Sequence, residues 1–205
     1  MIRDIDENLI SPEKLLHAND MVRLGCNDCS GCCDCCRDRA ERITLDKWDM
    51  DRLKEGLQKS FDDLLALGSI EITLVNNILL PVLGKKPDKD ECIFLNDEGR
   101  CTIHAFRPGI CRMFPLARIY HDDGSFSYFL QEGECPHLSG VKIKVSKWLG
   151  VGNTVRYEQE VRSYHDRLKE LRKKCFLATT HEDIVKLQTK FLEENFRGDN
   201  SSILC

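Results

Sequence analysis

The chain has 205 residues, of which 41% are hydrophobic and 31% charged, so it can bury a core without needing a metal merely because it is small. A formal net charge of −4 argues against nucleic acid as a partner. The sequence has no apolar run of about eighteen residues and an acidic amino terminus, so we expect a cytoplasmic protein with no membrane association. In that compartment, its twelve cysteines favour metal binding over disulfides.

The first predicted elements are helices on either side of a cysteine-rich run. SPEKLLHAND predicts a short helix capped by Ser11, with a proline at its first position. ITLDKWDMDRLKEGL predicts a second helix with Thr44 as its cap. A capping box between Ser60 and Asp63 predicts a third helix, which ends at Gly68. The cysteine-rich run is therefore expected to be a loop between helices.

The middle of the chain predicts three hairpins of a small antiparallel sheet. EITLV and ILLPVLG flank Asn76–Asn77, a pair that suits the positive φ of a tight turn, and Pro81 places the second strand at a sheet edge. CIFL and RCTIH flank a second turn, NDEG, and ARIYH and SFSYFL flank a third, DDG. Pairing Phe94 with Cys101 across NDEG would make Cys92 and Cys101 diagonal neighbours on one sheet face.

Two helices are predicted in the carboxyl-terminal part of the chain. The first begins near Asn153, has apolar residues three or four positions apart, and places Cys175 on that apolar face. The second is opened by a capping box of Thr180 and Asp183 and ends before Gly198. Both helices are expected to pack by one apolar face.

These elements together predict an α+β fold. The expected architecture is a small antiparallel hairpin sheet with a cysteine-rich metal-binding loop, flanked by helices and a C-terminal helical pair. We expect one domain over residues 1–205, with the cysteine core over 20–136 and the helical pair over 150–197. Between Lys142 and Lys174, ten basic residues face four acidic ones, which favours a solvated helix face and leaves a basic docking strip as the alternative.

The densest feature is CNDCSGCCDCC at residues 26–36, which holds six cysteines in eleven residues. A Cys-x-x-Cys turn brings two sulfurs within reach of one metal, and it serves zinc and iron–sulfur clusters alike. Cys26 and Cys29 form one such pair, and Cys29 and Cys32 form the next. The run also has the C-x2-C-x2-C-x3-C spacing of bacterial ferredoxins, but Arg37 stands where their proline follows and no second copy occurs. A ferredoxin-like electron carrier is therefore a weaker alternative.

Further motifs follow downstream: C-I-F-L at Cys92, C-T-I-H at Cys101, and R-P-G-I-C-R-M-F-P from Arg107 to Pro115. With C-x-x-C-x-x-C-C at residues 26–33, they resemble the YkgJ-type CxxCxxCC cysteine-cluster family, over about residues 20–136. That family is described as zinc- or iron-chelating. It includes a flagellin lysine N-methylase to which an iron–sulfur cluster is ascribed.

The resemblance implies a set of eight metal ligands: Cys26, Cys29, Cys32, Cys33, Cys92, Cys101, Cys111 and Cys135. Eight thiolates suit two four-cysteine centres, or one centre with some cysteines in other roles. Cys35 and Cys36 depart from the basic family pattern and leave the exact ligand set open. The chain is also shorter than expected of the full methylase.

Arg107 and Arg112 flank Cys111 and are the candidate cofactor-binding residues. A guanidinium can offset the negative charge of a thiolate-bound metal, or bind an anionic group such as the carboxylate of S-adenosylmethionine. An ordinary structural ion pair is the alternative for both. His104 and His137 stand two or three residues after cysteines, where either could replace a thiolate at zinc, but a role outside a metal site is favoured.

Two classes of function remain open from the sequence. Surplus thiolates favour an iron–sulfur cluster such as 4Fe-4S over zinc, and a cluster could support group transfer, for example S-adenosylmethionine-dependent methylation of a protein lysine. The alternative is a structural zinc module whose basic carboxyl-terminal helix docks a protein partner. The sequence contains no P-loop, G-x-G-x-x-G, G-x-S-x-G or H-E-x-x-H motif, so no catalytic residue is assigned and enzyme status is open.

Overall fold

The computed structural model describes residues 10–24, 32–37, 43–135, 137–138 and 140–198. Its strands are β1 (Met21–Leu24), β2 (Ile70–Val75), β3 (Ile78–Leu83), β4 (Leu116–Tyr120), β5 (Phe126–Leu130) and β6 (Val141–Lys144). Its helices are α1 (Lys47–Leu57), α2 (Phe61–Ala66), α3 (Gly109–Met113), α4 (Val145–Leu149), α5 (Thr154–Leu177) and α6 (His181–Leu192). The mixture of helices and short antiparallel hairpins confirms the predicted α+β class.

Several predicted helix starts and turns are confirmed. The Ser60 side chain accepts a hydrogen bond from the Asp63 amide at 3.1 Å and opens α2. Asn76–Asn77 form the β2–β3 turn with φ of 48° and 63°. The Asn153 side chain accepts from the Arg156 amide and caps α5. Each of these features depends on contacts between near neighbours in the sequence.

The prediction that Thr44 caps α1 is wrong. The N-cap is Asp46, whose side chain accepts from the Asp49 amide at 2.9 Å, while the Asp49 side chain accepts from the Asp46 amide at 3.4 Å. Thr44 instead forms an isolated bridge with Val82 of β3. Helix α1 therefore begins only after the residue that pairs with β3.

The predicted helix at SPEKLLHAND is also wrong. Only Pro12–Lys14 turns, as a 3-10 helix, and the Ser11 side chain makes no capping hydrogen bond. Leu16 and Tyr128 of β5 exchange two backbone hydrogen bonds, of 2.7 and 2.8 Å. Pairing with a remote strand thus holds this segment extended.

Within the described residues, the strands form three separate two-stranded sheets instead of the single sheet predicted. The β2–β3 and β4–β5 ladders are two of the predicted hairpins. The third sheet pairs β1 with β6, with Met21 opposite Lys144, and was not predicted. These two strands are far apart in the sequence and no local turn joins them, so no hairpin pattern predicts their pairing.

The remaining predicted hairpin, around NDEG, is not a strand pair in the structure. Leu95 forms an isolated bridge with Cys101, so the register is shifted by one residue from the predicted pairing of Phe94 with Cys101. The Asn96 amide donates to the Arg100 carbonyl at 2.9 Å, which closes the turn. The two cysteines of this segment are therefore brought together by turns and not by a regular sheet face.

Helix α5 connects two hydrophobic clusters. Tyr157 and Val161 pack into a cluster with β1, β4, β5 and α4. Tyr164 and Leu168 pack into a second cluster with α1, α2, α6 and the β2–β3 hairpin. In the part of the chain that the structure describes, no helix has the length and apolar character needed to cross a membrane.

Candidate metal centre

Six cysteines line one small pocket: Cys32, Cys35, Cys36, Cys92, Cys101 and Cys111. Its volume is about 90 Å³, several times the roughly 10–15 Å³ that a single water occupies. The cysteines come from three segments, namely residues 32–37, residues 92–101 and helix α3. No two of the nine cysteines in the described segments are joined by a disulfide.

The first segment reaches the pocket through a tight turn tied to the second segment. Asp34–Cys36 form a single 3-10 turn. Directly after it, Arg37 forms a backbone bridge with Glu91, and their side chains lie 3.4 Å apart. The Cys92 amide donates to the Cys36 carbonyl at 2.8 Å. These contacts place Cys36 beside Cys92, so the two halves of the cysteine pattern meet at backbone level.

The third segment is helix α3, which carries Cys111. The Pro108–Gly109 pair just before Cys111 predicts a turn and a loop, and the structure corrects that prediction with a short helix. The Gly109 amide at the start of α3 donates to Oδ1 of the buried Asp49 at 2.7 Å. A Cβ added to Gly109 would lie 2.5 Å from the Tyr157 hydroxyl, so only glycine fits where α3 meets α5. The position of Cys111 is therefore set by contacts of α3 with α1 and α5.

Cys35 interacts with cysteines of all three segments. Its side chain hydrogen-bonds that of Cys36. It also interacts electrostatically with Cys92, Cys101 and Cys111. Sequence reasoning left the roles of Cys35 and Cys36 open, and the structure places both in the pocket wall. The only sequence feature that could have indicated a place in the pocket for these two cysteines was their position in the dense run at residues 26–36.

The pocket thiols are hard to ionise in the absence of a cation. Burial raises the pKa of Cys92 to about 11 and that of Cys111 well above its ordinary value. The hydrogen bond with Cys35, followed by burial, raises the pKa of Cys36. A metal ion supplies the positive charge that buried thiolates need, and its binding releases their protons. The donor set thus fits a thiophilic metal centre.

Cys33 lies outside the lining of this pocket among the described residues. Its Sγ is 3.6 Å from the position of a Cβ added to Gly99, and its side chain packs against the hydrophobic cluster of α1 and α2. Cys26 and Cys29 lie outside the residues that the structure describes. The roles of these three cysteines as ligands stay predictions.

A second group of donors, which we call the rim group, comprises Cys32, Asp34 and His137. One donor atom from each lies within 4.8 Å of the others. His137 Nε2 is 3.2 Å from Asp34 Oδ2, and Cys135 interacts electrostatically with Cys32. Mixed sulfur, nitrogen and oxygen donors are typical of zinc. Cys32 therefore belongs both to the pocket and to the rim group.

The two candidate arginines differ in their surroundings. Arg107 lines the pocket and contacts His104 through Nη1. Its Nε is buried, with no hydrogen-bond partner in the described part of the chain. Burial raises the pKa of the Cys101 thiol, and the nearby Arg107 charge partly opposes that rise. Arg107 thus presents an uncommitted donor to the cysteine pocket.

Arg112 is buried and its donors are occupied by the backbone. Nη2 donates to the Ala105 carbonyl at 2.9 Å, and Nη1 donates to the Leu149 carbonyl at 3.4 Å. Burial lowers the pKa of this guanidinium. Arg112 therefore connects α3 to the end of α4 and to the segment before α3.

The pocket and its cysteine walls define a cysteine-cluster protein of the metal-binding type. Residues 26–136, more than half of the chain, match the family model CxxCxxCC, which is described as a proposed zinc- or iron-chelating domain. The chain belongs to this family. No curated protein and no solved structure matches the chain.

Proposed function

We propose that the protein binds an iron–sulfur cluster in the cysteine pocket. The observation that carries the proposal is the convergence of six cysteines from three segments on one site. A closed zinc site and an iron–sulfur cluster each take four protein ligands, so six converging thiols are enough for either centre. We prefer the cluster because its ligand sets are built of thiolates, whereas zinc also takes histidine and carboxylate. Iron–sulfur clusters are held by cysteine thiolates, and they can also accept and donate electrons. Arg107 in the pocket wall would offset the negative charge of such a centre.

The proposed ligands fall into two groups. Cys36, Cys92, Cys101 and Cys111 are the pocket ligands best supported by their mutual electrostatic interactions, and Cys35 is the alternative to Cys36. The other positions implied by the resemblance are retained because the family match covers them: Cys26, Cys29, Cys32, Cys33 and Cys135.

The metal content tests the proposal directly. Anaerobically purified protein should be brown and should contain iron and acid-labile sulfide in equal amounts. Cys36→Ser and Cys111→Ser should each lower the iron and sulfide content and bleach the visible spectrum. Cys175→Ser is the matched control, because Cys175 lies on α5 outside the pocket. A colourless protein that holds zinc without sulfide would refute the proposal.

A second pair of variants separates the pocket assignment from the family pattern. Cys35 lines the pocket and Cys33 does not, although the two lie in one short segment. If the pocket geometry decides ligation, Cys35→Ser should perturb the cluster spectrum more than Cys33→Ser. The opposite order would favour the ligand set implied by the resemblance.

Zinc binding at the rim group is the second candidate function. It is favoured by the mixed donors of Cys32, Asp34 and His137. Under this proposal the protein holds a zinc ion at the rim as a structural site. His137→Gln should then release about one zinc per chain and leave the visible spectrum of the pocket unchanged. Zinc content that does not respond to this variant would refute the rim site.

For an enzymatic role, we propose S-adenosylmethionine-dependent methylation of a protein lysine. The methyl carbon would leave the sulfonium sulfur and bond to the amine nitrogen, which loses a proton, and S-adenosylhomocysteine would remain. The supporting observation is the buried, uncommitted Nε of Arg107, which suits the cofactor carboxylate. Calorimetric titration of the metal-loaded protein with S-adenosylmethionine should give binding heat that Arg107→Gln abolishes and the surface variant Arg23→Gln retains. Absence of heat for the unmodified protein would refute this role.

A further inference from the structure

A larger cavity lies on the other side of the cysteine pocket wall. Its volume is about 410 Å³, within the roughly 300–1,000 Å³ range of small-molecule sites. It is enclosed by the start of α1, the β2–β3 hairpin, β4 and the middle of α5. Ile110 and Phe114 line both this cavity and the cysteine pocket. One layer of side chains therefore separates the two spaces.

Three hydrogen-bond donors of the cavity wall have no acceptor. They are Nη1 of Arg118, Nε of Arg172 and the hydroxyl of Tyr164, all buried and all without a partner among the described residues. Each of these three atoms is itself shielded from the solvent, so water outside the protein does not satisfy it. Leaving buried donors unpaired is costly, and each such group in a folded protein calls for an explanation.

The acidic residues of the cavity do not supply the missing acceptors. Asp46 Oδ1 accepts from the Asp49 amide at 2.9 Å, and Asp49 Oδ1 accepts from the Gly109 amide at 2.7 Å. Burial, as the largest cause, raises the pKa of both carboxyl groups. The charge of Arg118 partly opposes the rise at both carboxyl groups. Even so, no carboxylate of the described residues accepts a hydrogen bond from Arg118 Nη1, Arg172 Nε or the Tyr164 hydroxyl.

Another part of the cavity wall is apolar and aromatic, beside the polar residues Thr44, Asn76 and Gln131. The rings of Tyr120 and His165 are stacked, with centroids 3.6 Å apart and planes at 5°. Burial lowers the pKa of His165, so at neutral pH this stack is an uncharged flat surface. Leu116 and Leu168 complete an apolar wall around the donors.

We propose that this cavity is a binding site for a small organic carboxylate with an apolar body. The two oxygens of a carboxylate offer about four acceptor positions, which match Arg118, Arg172 and Tyr164. The apolar body would lie against Leu116, Leu168 and the stacked rings. The site is independent of which metal occupies the cysteine pocket.

The matched variants Tyr164→Phe and Tyr157→Phe test the proposal. Each removes a buried tyrosine hydroxyl that has no hydrogen-bond partner in the described chain. The Tyr164 side chain lines the cavity and the Tyr157 side chain does not. Neither variant loses a hydrogen bond to any residue that the structure describes, so both should remain folded. Arg118→Met removes a guanidinium of the cavity wall and so tests whether its positive charge contributes to carboxylate binding.

The probe is 4-phenylbutyrate, with neutral 4-phenylbutanol and inorganic phosphate as comparison probes, titrated by NMR into the metal-loaded full-length protein. We expect 4-phenylbutyrate to bind with a dissociation constant of about 1 mM, more tightly than either comparison probe. Tyr164→Phe should weaken its binding roughly tenfold, Arg118→Met should weaken it more, and Tyr157→Phe should leave it unchanged.

Four results would overturn the proposal. No binding of 4-phenylbutyrate at 10 mM would mean a cavity that holds water only. Equal binding of 4-phenylbutanol would mean an apolar site without carboxylate recognition, and tighter binding of phosphate would mean an oxyanion site of a different class. Equal weakening by Tyr157→Phe and Tyr164→Phe would place the probe elsewhere.

Discussion

Gly109→Ala should destabilise the protein by steric overlap at the start of α3. The added Cβ would lie 2.5 Å from the Tyr157 hydroxyl and 3.5 Å from Asp49 Oδ1. The first distance is below any ordinary contact, and the hydroxyl belongs to a buried ring on α5 that cannot swing away. Overpacking of this kind costs about 1–3 kcal/mol. Because α3 carries Cys111, the same overlap should displace one wall of the cysteine pocket.

Tyr157→Phe should rescue the glycine variant. Removing the hydroxyl leaves the ring carbon Cζ as the nearest Tyr157 atom, at 3.6 Å from the added Cβ, which is ordinary van der Waals contact. The lost hydroxyl has no hydrogen-bond partner within the described residues, so Tyr157→Phe alone should cost little. The double variant should therefore be more stable than Gly109→Ala by about 1–2 kcal/mol, a favourable coupling between the two sites.

Urea unfolding of the four proteins of this double-mutant cycle measures the coupling, with iron and zinc counts on the same samples. Gly109→Ala should show a lower midpoint and lower metal content, and the double variant should recover both. If Tyr157→Phe fails to rescue the glycine variant, the overlap between α3 and α5 is not the cause of the loss. The assigned position of Cys111 would then fail with it.

Two further predictions concern the hairpin and helix α5. Gly84→Ala should cost about 3 kcal/mol or more in urea unfolding, because its Cβ would lie 1.9 Å from the Gly68 carbonyl oxygen and backbone cannot rotate away. His165→Gln should reduce the loss of stability on acidification. The folded pKa of His165 is lowered from 6.5, mainly by burial, so the unfolded chain takes up its proton first and stability falls as the pH falls below about 6.5.

Surface variants serve as controls for these two predictions. Gly198→Ala places its Cβ 3.9 Å from the nearest atom and should be nearly neutral, in contrast to Gly84→Ala. His181 is exposed at the start of α6, so His181→Gln is the exposed-histidine comparison for His165→Gln. If Gly84→Ala is as stable as Gly198→Ala, the predicted overlap with the Gly68 carbonyl is wrong. If His165→Gln and the unmodified protein lose stability equally on acidification, the predicted role of His165 is wrong.

Local patterns predicted helix starts well where no remote strand competed for the backbone. The Ser60 capping box and the Asn76–Asn77 turn were predicted because their hydrogen bonds and φ angles depend on adjacent residues. Thr44 and Leu16 were misassigned because each pairs with a strand far along the chain. Sequence periodicity shows which residues are buried, but it does not show which remote segment covers them.

In the candidate site, too, local features were predicted and long-range contacts were not. Cys92, Cys101 and Cys111 were assigned from the resemblance and all line the pocket, although the predicted strand register that joined the first two was off by one residue. The register error did not matter, because turns and not a sheet face bring these thiols together. The inward position of Cys35 could not be predicted, since it depends on a single 3-10 turn tied to a remote segment.

The sequence by itself determined that cysteine is the metal-ligating residue type, and it determined the family. It also showed that the cysteines fall into a dense run and a downstream group, because residue type and spacing are local properties. The tertiary structure decided that Cys36 meets Cys92 and that Cys35, but not Cys33, lines the pocket. It also created the cavity that Arg118 and Tyr164 both line, which the spacing of these residues in the sequence does not predict. Both outcomes depend on long-range packing, where the partner of each side chain is set by the whole fold.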